Sequence, residues 1–183
     1  MEPISLLFLV VAGWAVSKIK KSSAEATSPE PAQSPIPSPD PAPSADIASS
    51  TGVFTLRDSP YKDLIAASAV ENGISPEILD NLIYTESRYR IDALSPVGAM
   101  GIAQFMPETA KQVLGSEEAA YNPELAIPGA AKYLATIRDY VGKGDIGMIA
   151  GYNWGMGNAK KYALSTAPKE TKDYVFHILG VNL

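Results

Sequence analysis

The chain has 183 residues, a formal net charge of −5, no cysteine and a single histidine, His177. Its length suffices for one compact domain with extensions, and an acidic balance without a basic stripe excludes nucleic acid as a partner. The missing thiols exclude disulfides, thiolate metal sites and cysteine nucleophiles, and the single histidine excludes His-pair zinc and disfavours a Ser-His-Asp triad, so any enzymatic chemistry falls to carboxylates, hydroxyls and amides.

Residues 4–19, ISLLFLVVAGWAVSKI, form an apolar run, with Lys18, Lys20 and Lys21 at its end. A helix of that length spans ~24 Å, short of the ~30 Å hydrocarbon core, a gap that snorkelling side chains or local thinning can close. Glu2 precedes the run and no Lys or Arg does, unlike the charged start of a secretory signal. The lysines that follow place the C-terminal side in the cytoplasm. Residues 1–21 are therefore expected to be an uncleaved membrane anchor, with an atypical cleaved signal as the alternative. Residues 22–52 hold seven of the fifteen prolines, from Pro29 to Pro43, among Ser and Ala. Nothing apolar recurs there, so no burial can offset the entropy of ordering. A disordered, semi-rigid linker biased to polyproline II is expected.

Residues 53–183 read as an all-α domain. Ser59-Pro60 opens a helix near 60–72, with Gly73 as its stop. Ser75-Pro76-Glu77 opens a second helix to about Tyr89. Ser95-Pro96-Val97-Gly98 marks a turn inside a loop over 90–99. A short helix is expected over 99–105, then helices from Pro107 to Leu114, from Pro128 to Val141, from Asp145 through Tyr152, over 158–164 and from Pro168 onward. No alternating strand pattern stands out, and no solenoid period is present.

The second helix carries the most informative residue. Leu79, Leu82 and Ile83 fall at i, i+3 and i+4 and form one apolar stripe. The next position on that stripe, i+7, is Glu86. A carboxylate in the last turn faces the negative end of the helix dipole, and the stripe partly buries it. Both effects raise its pKa and suit it to be a general acid. The competing reading is a structural carboxylate satisfied by Arg88, Arg90 or a backbone amide, and position alone does not separate the two. Ser95, Gly98, Gly101 and Gln104 follow in a Gly-punctuated segment. There the backbone can approach a ligand closely, and a hydroxyl and an amide can fix it. Ordinary turn chemistry is the alternative.

Three ordered motifs add a resemblance. Glu86-Ser87, Ala93-Leu94-Ser95, Gly98-Ala99-Met100-Gly101, Gln104 and Pro107-Glu108-Thr109-Ala110 form the first, Tyr152-Asn153-Trp154-Gly155-Met156-Gly157 the second, and Pro168-Lys169-Glu170-Thr171-Lys172-Asp173-Tyr174-Val175 the third. Together, over about residues 61–178, they resemble the catalytic domain of lytic transglycosylases of the soluble type, which is related to goose-type lysozyme. The resemblance implies a lysozyme-like helical fold. It implies cleavage of the β-1,4 bond between N-acetylmuramic acid and N-acetylglucosamine of peptidoglycan, with a 1,6-anhydromuramoyl end as product. It makes Glu86 both acid and base, since in this family one Glu performs both proton transfers. Ser95 and Gln104 would line the saccharide cleft, and Gly101 would keep its floor low. Tyr152 would hydrogen-bond Glu86 or the sugar, Asn153 would lie beside it and brace the fold, and Tyr174 would close the site. For each tyrosine the alternative is a core aromatic with a satisfied hydroxyl. Two positions depart from the family pattern. Ala103 stands where a Met often covers one side of the cleft, and Trp154 stands where Ala is common and could stack on a sugar.

The expected partners are peptidoglycan glycan strands and, through residues 4–19, a membrane, either the bacterial inner membrane with the domain on its periplasmic face, against the charge rule, or that of a virion with the domain stored inward. A monomeric catalytic domain is expected, with no cofactor and no metal. A lysozyme-type muramidase and a non-catalytic wall-binding protein are the rival functions.

Overall fold

A computed structural model describes residues 56–183; the expected anchor, the linker and the first residues of the expected domain lie outside the described residues. Among those described, regular structure consists of seven α-helices, numbered α1 to α7 in chain order, and two 3-10 turns, Glu118–Tyr121 and Leu164–Thr166. The all-α reading of this part of the chain holds. Extended pairing among the described residues is limited to two isolated antiparallel bridges, Leu94 with Met100 and Met100 with Phe105. No described helix is long and apolar enough to cross a membrane.

Helix α1 (Lys62–Glu71) buries Ile65 and Ala69 against α2 and α4. Helix α2 (Pro76–Ser87) starts with Pro76 at its first position, where a missing N–H costs nothing. Its stripe of Leu79, Leu82 and Ile83 is fully buried, worth about 1.5–3 kcal/mol for each side chain. The helix ends two residues short of the expected Tyr89, because Arg88 (φ 55°) and Tyr89 (φ 64°) both adopt the left-handed conformation. That reversal directly follows the turn that carries Glu86.

Two expectations are corrected. The short helix expected over 99–105 is instead a folded loop. Gly101 (φ 69°) and Gln104 (φ 49°) are left-handed, and two such residues within four positions cannot share one right-handed turn. The helix expected from Pro128 begins at Pro123. The side chain of Asn122 accepts the N–H of Glu124 at 3.0 Å, a cap that fixes the start of α4 (Pro123–Val141) there. Pro128 lies inside the helix. It removes one hydrogen bond from a turn that is also held by the buried Ala126, Ile127 and Ala130.

Helix α3 (Pro107–Leu114) packs on α4. Helix α4 lies against α1, α3, α5 and α6, and buries Leu134, Ile137 and Val141 while Tyr140 is exposed. Helix α5 (Gly144–Trp154) packs on α4 and α7, and Gly155, at φ 88°, breaks the chain before α6 (Met156–Lys161). Helix α7 (Lys169–Leu179) buries Thr171, Tyr174, Val175 and Ile178. It packs on α2 and α5, which brings Tyr174 to Glu86 and Thr171 to Asn153.

Candidate active site

Glu86 emerges from the last turn of α2 with its carboxyl surrounded by protein, although part of its side chain remains accessible. Burial pushes its pKa up from 4.5 to about 7, against the opposing pull of a hydrogen bond from Tyr174. The Tyr174 hydroxyl donates to Oε1 of Glu86. Tyr174 is itself buried, and burial followed by the nearby charge of Glu86 holds its phenol well above the usual range. It therefore stays a donor across the working pH range. Neither Arg88 nor Arg90 neutralises the carboxyl. Arg88 is exposed, and Arg90 donates from Nε to the Ser87 carbonyl at 3.2 Å. Such a carboxyl keeps its proton at pH values where an ordinary glutamate has lost it. It can give a proton and then serve as the base that takes one.

The loop 93–105 lies beside it and is tied down atom by atom. The Ser87 hydroxyl, buried next to Glu86, donates to the carbonyl of Ile102 at 2.8 Å. The Tyr152 hydroxyl, from α5, donates to the carbonyl of Ala103 at 2.9 Å. Adjacent carbonyls of one turn are thus clamped from α2 and from α5. Tyr152 sits with Phe105 and Tyr133 in a triangle of rings, with centroids 5.7 to 6.3 Å apart. Burial, and then the charge of Glu86, raise its phenol well above the usual range. Tyr152 is therefore close enough to feel Glu86, yet the hydroxyl bonded to Glu86 belongs to Tyr174. Of the two partners expected for Tyr152, Glu86 is bonded by Tyr174 instead, and the Tyr152 hydroxyl donates to the Ala103 carbonyl.

The other expected site residues divide between loop and scaffold. Gln104 spends its side-chain N–H groups on the carbonyls of Gly101 at 2.9 Å and Ala93 at 3.3 Å. Gly101 packs face-on against the 3-10 turn at Glu118–Tyr121: a Cβ there would lie 1.7 Å from the Ala120 carbonyl oxygen. Ser95 closes its own turn. Its hydroxyl oxygen accepts the Ala99 N–H at 2.8 Å, and the hydroxyl hydrogen remains free to be donated. Asn153 accepts the Thr171 hydroxyl at 2.7 Å and braces α5 to α7. Trp154 packs beside Tyr162, with centroids 5.9 Å apart. His177 is exposed in the last turn of α7. Nothing in the sequence marks the Phe105–Tyr133 pair as functional, and Thr171 lies within the third motif without a role being assigned to it. Ser87 lies within the first motif, but its acceptor is 15 residues away, a pairing that no local pattern encodes. Among the described residues no group of three His, Asp or Glu side chains is placed to hold a metal ion.

Replacing Tyr174 by Phe removes the bond that holds the Glu86 pKa down. The expected result is a further rise of that midpoint by about one pH unit. It is measurable as an upward shift of the alkaline limb of the pH–rate profile.

A family profile described as "Transglycosylase SLT domain" matches residues 63–175. The chain is 32% identical over 136 residues to the peptidoglycan transglycosylase gp16 of Escherichia phage T7, a match covering 67% of this chain and 10% of that protein. It is 29% identical over 126 residues to membrane-bound lytic murein transglycosylase C of Actinobacillus pleuropneumoniae serotype 5b (strain L20), covering 60% of this chain and 34% of that protein. The crystal structure of the 70 kDa soluble lytic transglycosylase Slt70 from Escherichia coli superposes with a TM-score of 0.60 at 26% identity, over 65% of this chain and 23% of that one. The chain thus spans no more than about a third of the length of these proteins. The likeness extends to the helical, lysozyme-like architecture expected from the motifs.

Proposed function

The chain belongs to the transglycosylase SLT domain family, and from that membership we propose that Glu86 cleaves the β-1,4 bond between N-acetylmuramic acid and N-acetylglucosamine of peptidoglycan without adding water. The protonated Glu86 gives its proton to the glycosidic oxygen as the C1–O bond breaks. The carboxylate so formed takes the proton of the muramoyl C6 hydroxyl, whose oxygen closes on C1. The product is a 1,6-anhydro ring, and Glu86 returns to its protonated state. The substrate's own N-acetyl oxygen assists at C1 between the two steps. Tyr174 stabilises the carboxylate while it exists. The side-chain carbonyl of Gln104 and the free hydroxyl hydrogen of Ser95 contact the saccharide, on a loop whose floor Gly101 sets.

The observation that carries this reading is Glu86 itself, raised to about 7 by burial, with a tyrosine hydroxyl rather than a charge as its partner. Ordinary glycosidases work with two carboxylates, roughly 5–9.5 Å apart. No second carboxylate contributes to the shift at Glu86, which suits a mechanism in which one group acts twice. Mass spectrometry of digested sacculi is expected to show anhydromuropeptides. Reducing muramic acid ends would make the protein a muramidase, and binding without release would make it a wall-binding scaffold.

A relative named as membrane-bound suits a domain held at a membrane, and a relative from a phage suits one carried in a virion. We read residues 4–19 as that anchor, with the domain facing inward as Lys18, Lys20 and Lys21 direct. In a virion this arrangement stores the enzyme until the wall must be breached. Protease added to spheroplasts is expected to leave the domain intact, and its digestion from outside would reverse the orientation.

A further inference from the structure

Asp80 is a buried carboxylate on the same helix as Glu86, with 2% of its surface exposed, and the reaction has no use for it. Its two oxygens are divided between two distant segments. Oδ1 accepts the hydroxyl of Tyr89 at 2.6 Å. Oδ2 accepts the backbone N–H of Arg57 at 3.2 Å and its Nη1 at 2.8 Å. The same Nη1 donates to the side chain of Asn81 at 2.6 Å, and the guanidinium lies 4.5 Å from the ring centroid of Tyr84. Asn81 in turn donates to the carbonyl of Ile178 at 2.9 Å. A buried charge is tolerated only with such a full partner set, so the cluster is a built feature of the fold.

Its placement says what it is for. Tyr89 is the second of the two left-handed residues that end α2 just after Glu86. For a residue other than glycine that conformation is costly and persists only where the surroundings impose it. The bond from Tyr89 back to Asp80 spans the turn that carries Glu86 and fixes its exit. The Asn81 arm sets the neighbouring helix. Asn81 precedes Glu86 by five residues, ~7.5 Å along α2, and Ile178 follows Tyr174 by four, ~6 Å along α7. The two helices are therefore pinned at two points, Asn81 to Ile178 and Glu86 to Tyr174, which fixes both their spacing and their rotation.

We propose that Asp80 is a positioning residue: with Tyr89, Arg57 and Asn81 it forms a clasp that holds the end of α2 and the face of α7 so that Glu86 meets Tyr174. Arg57 belongs to the segment leading into α1, so the chain that enters the domain completes the clasp. The proposal rests on Glu86 as the reacting group, and its test has one arm that needs no activity.

The test uses the full chain carrying Tyr89→Phe, which removes one hydroxyl, and Asp80→Asn, which keeps shape but not charge. Ile137→Val, a core change away from the clasp, is the control for lost stability. In both clasp variants kcat on sacculi is expected to fall about tenfold with KM unchanged, since small misplacements of reacting groups act on the chemical step. The Glu86 midpoint, read by carbon NMR of labelled carboxyls, is expected to rise by up to about one pH unit, in the direction of Tyr174→Phe, as the carboxyl loses the Tyr174 hydroxyl that lowers it. Arg57→Ala is expected to move both readouts the same way, and Ile137→Val to move neither. If the clasp variants lose thermal stability while kcat and the Glu86 midpoint stay put, the cluster is merely structural and the proposal is overturned. Should the unaltered chain release no anhydro product, the reading of the reaction fails instead, and the NMR arm still decides the clasp.

Discussion

Replacing Glu86 by Gln is expected to abolish wall cleavage and to make the domain more stable at pH 8 but not at pH 4. The loss of activity follows from one group doing two jobs. General acid or base catalysis contributes roughly 10²–10⁴ for a single transfer, so a side chain that performs neither is expected to cost ~10⁴ or more in kcat. The gain in stability follows from the direction of the pKa shift. Burial raises the folded-state midpoint of Glu86 from 4.5 to about 7, so the folded chain binds its proton more tightly than the unfolded one. The favourable protonated form is fully present below pH 4.5, and its contribution is lost as pH rises through 7. Above pH 7 the fold carries a buried carboxylate that it must desolvate. At ~1.4 kcal/mol per pH unit, the penalty reaches a ceiling of ~3 kcal/mol. Glutamine keeps an oxygen for the Tyr174 hydroxyl and never ionises, so it escapes the penalty. Denaturant unfolding at pH 4 and pH 8 measures this directly. Equal effects at both pH values would mean that Glu86 is not buried as described, and its capacity to act as an acid at neutral pH would lose its physical basis.

A group that weakens the fold in order to hold its proton is a familiar trade between stability and activity. The same conflict makes the site legible in the sequence. The stripe of Leu79, Leu82 and Ile83 obeys a helical period, and Glu86 is the position where that period is broken. Periodicity is local, so consecutive residues display it. The partner of Glu86 is not local: Tyr174 lies 88 residues on, and only the resemblance of the third motif points to it. Loop conformation is illegible for another reason. Arg88, Tyr89 and Gln104 are left-handed without being glycine, so the residue types carry no mark of the backbone they adopt. The 99–105 segment consequently reads as a helix, its Ala, Met and Ile being acceptable helix formers overruled by tertiary contacts. Pro128 misleads in the opposite sense. Its usual place at a helix start competes with the Asn122-Pro123 pair, which is the better signal because cap and first residue stand together. Asp80 carries no local mark either, since nothing in its neighbourhood reveals that Arg57 and Tyr89 converge on it.

Replacing Gly101 by Ala is expected to destabilise the domain by about 3 kcal/mol, whereas replacing Gly98 by Ala costs about 1 kcal/mol. Both glycines have a positive φ, 89° at Gly98 and 69° at Gly101, so both substitutions carry the strain of an L residue in left-handed backbone. They differ in what surrounds them. A Cβ on Gly98 meets nothing within 4 Å, while one on Gly101 falls 1.7 Å from the Ala120 oxygen and 2.5 Å from its carbonyl carbon. Those atoms are backbone. They belong to the 3-10 turn at Glu118–Tyr121, which packs on α4, so they cannot swing aside as a side-chain tip would. The loop must move instead, and Ile102 and Ala103 move with it. Their carbonyls are the acceptors of Ser87 and Tyr152, so the clamp that shapes the site loosens too. Thermal unfolding is expected to show a fall of about 10 °C for Gly101→Ala, together with a fall in kcat. The same pair of variants separates the two roles open to Gly101. If it serves only as a low floor for the sugar, Gly101→Ala raises KM and leaves stability close to that of Gly98→Ala. If it is the seat on which the loop rests, as the contact with Ala120 requires, stability falls first and catalysis follows.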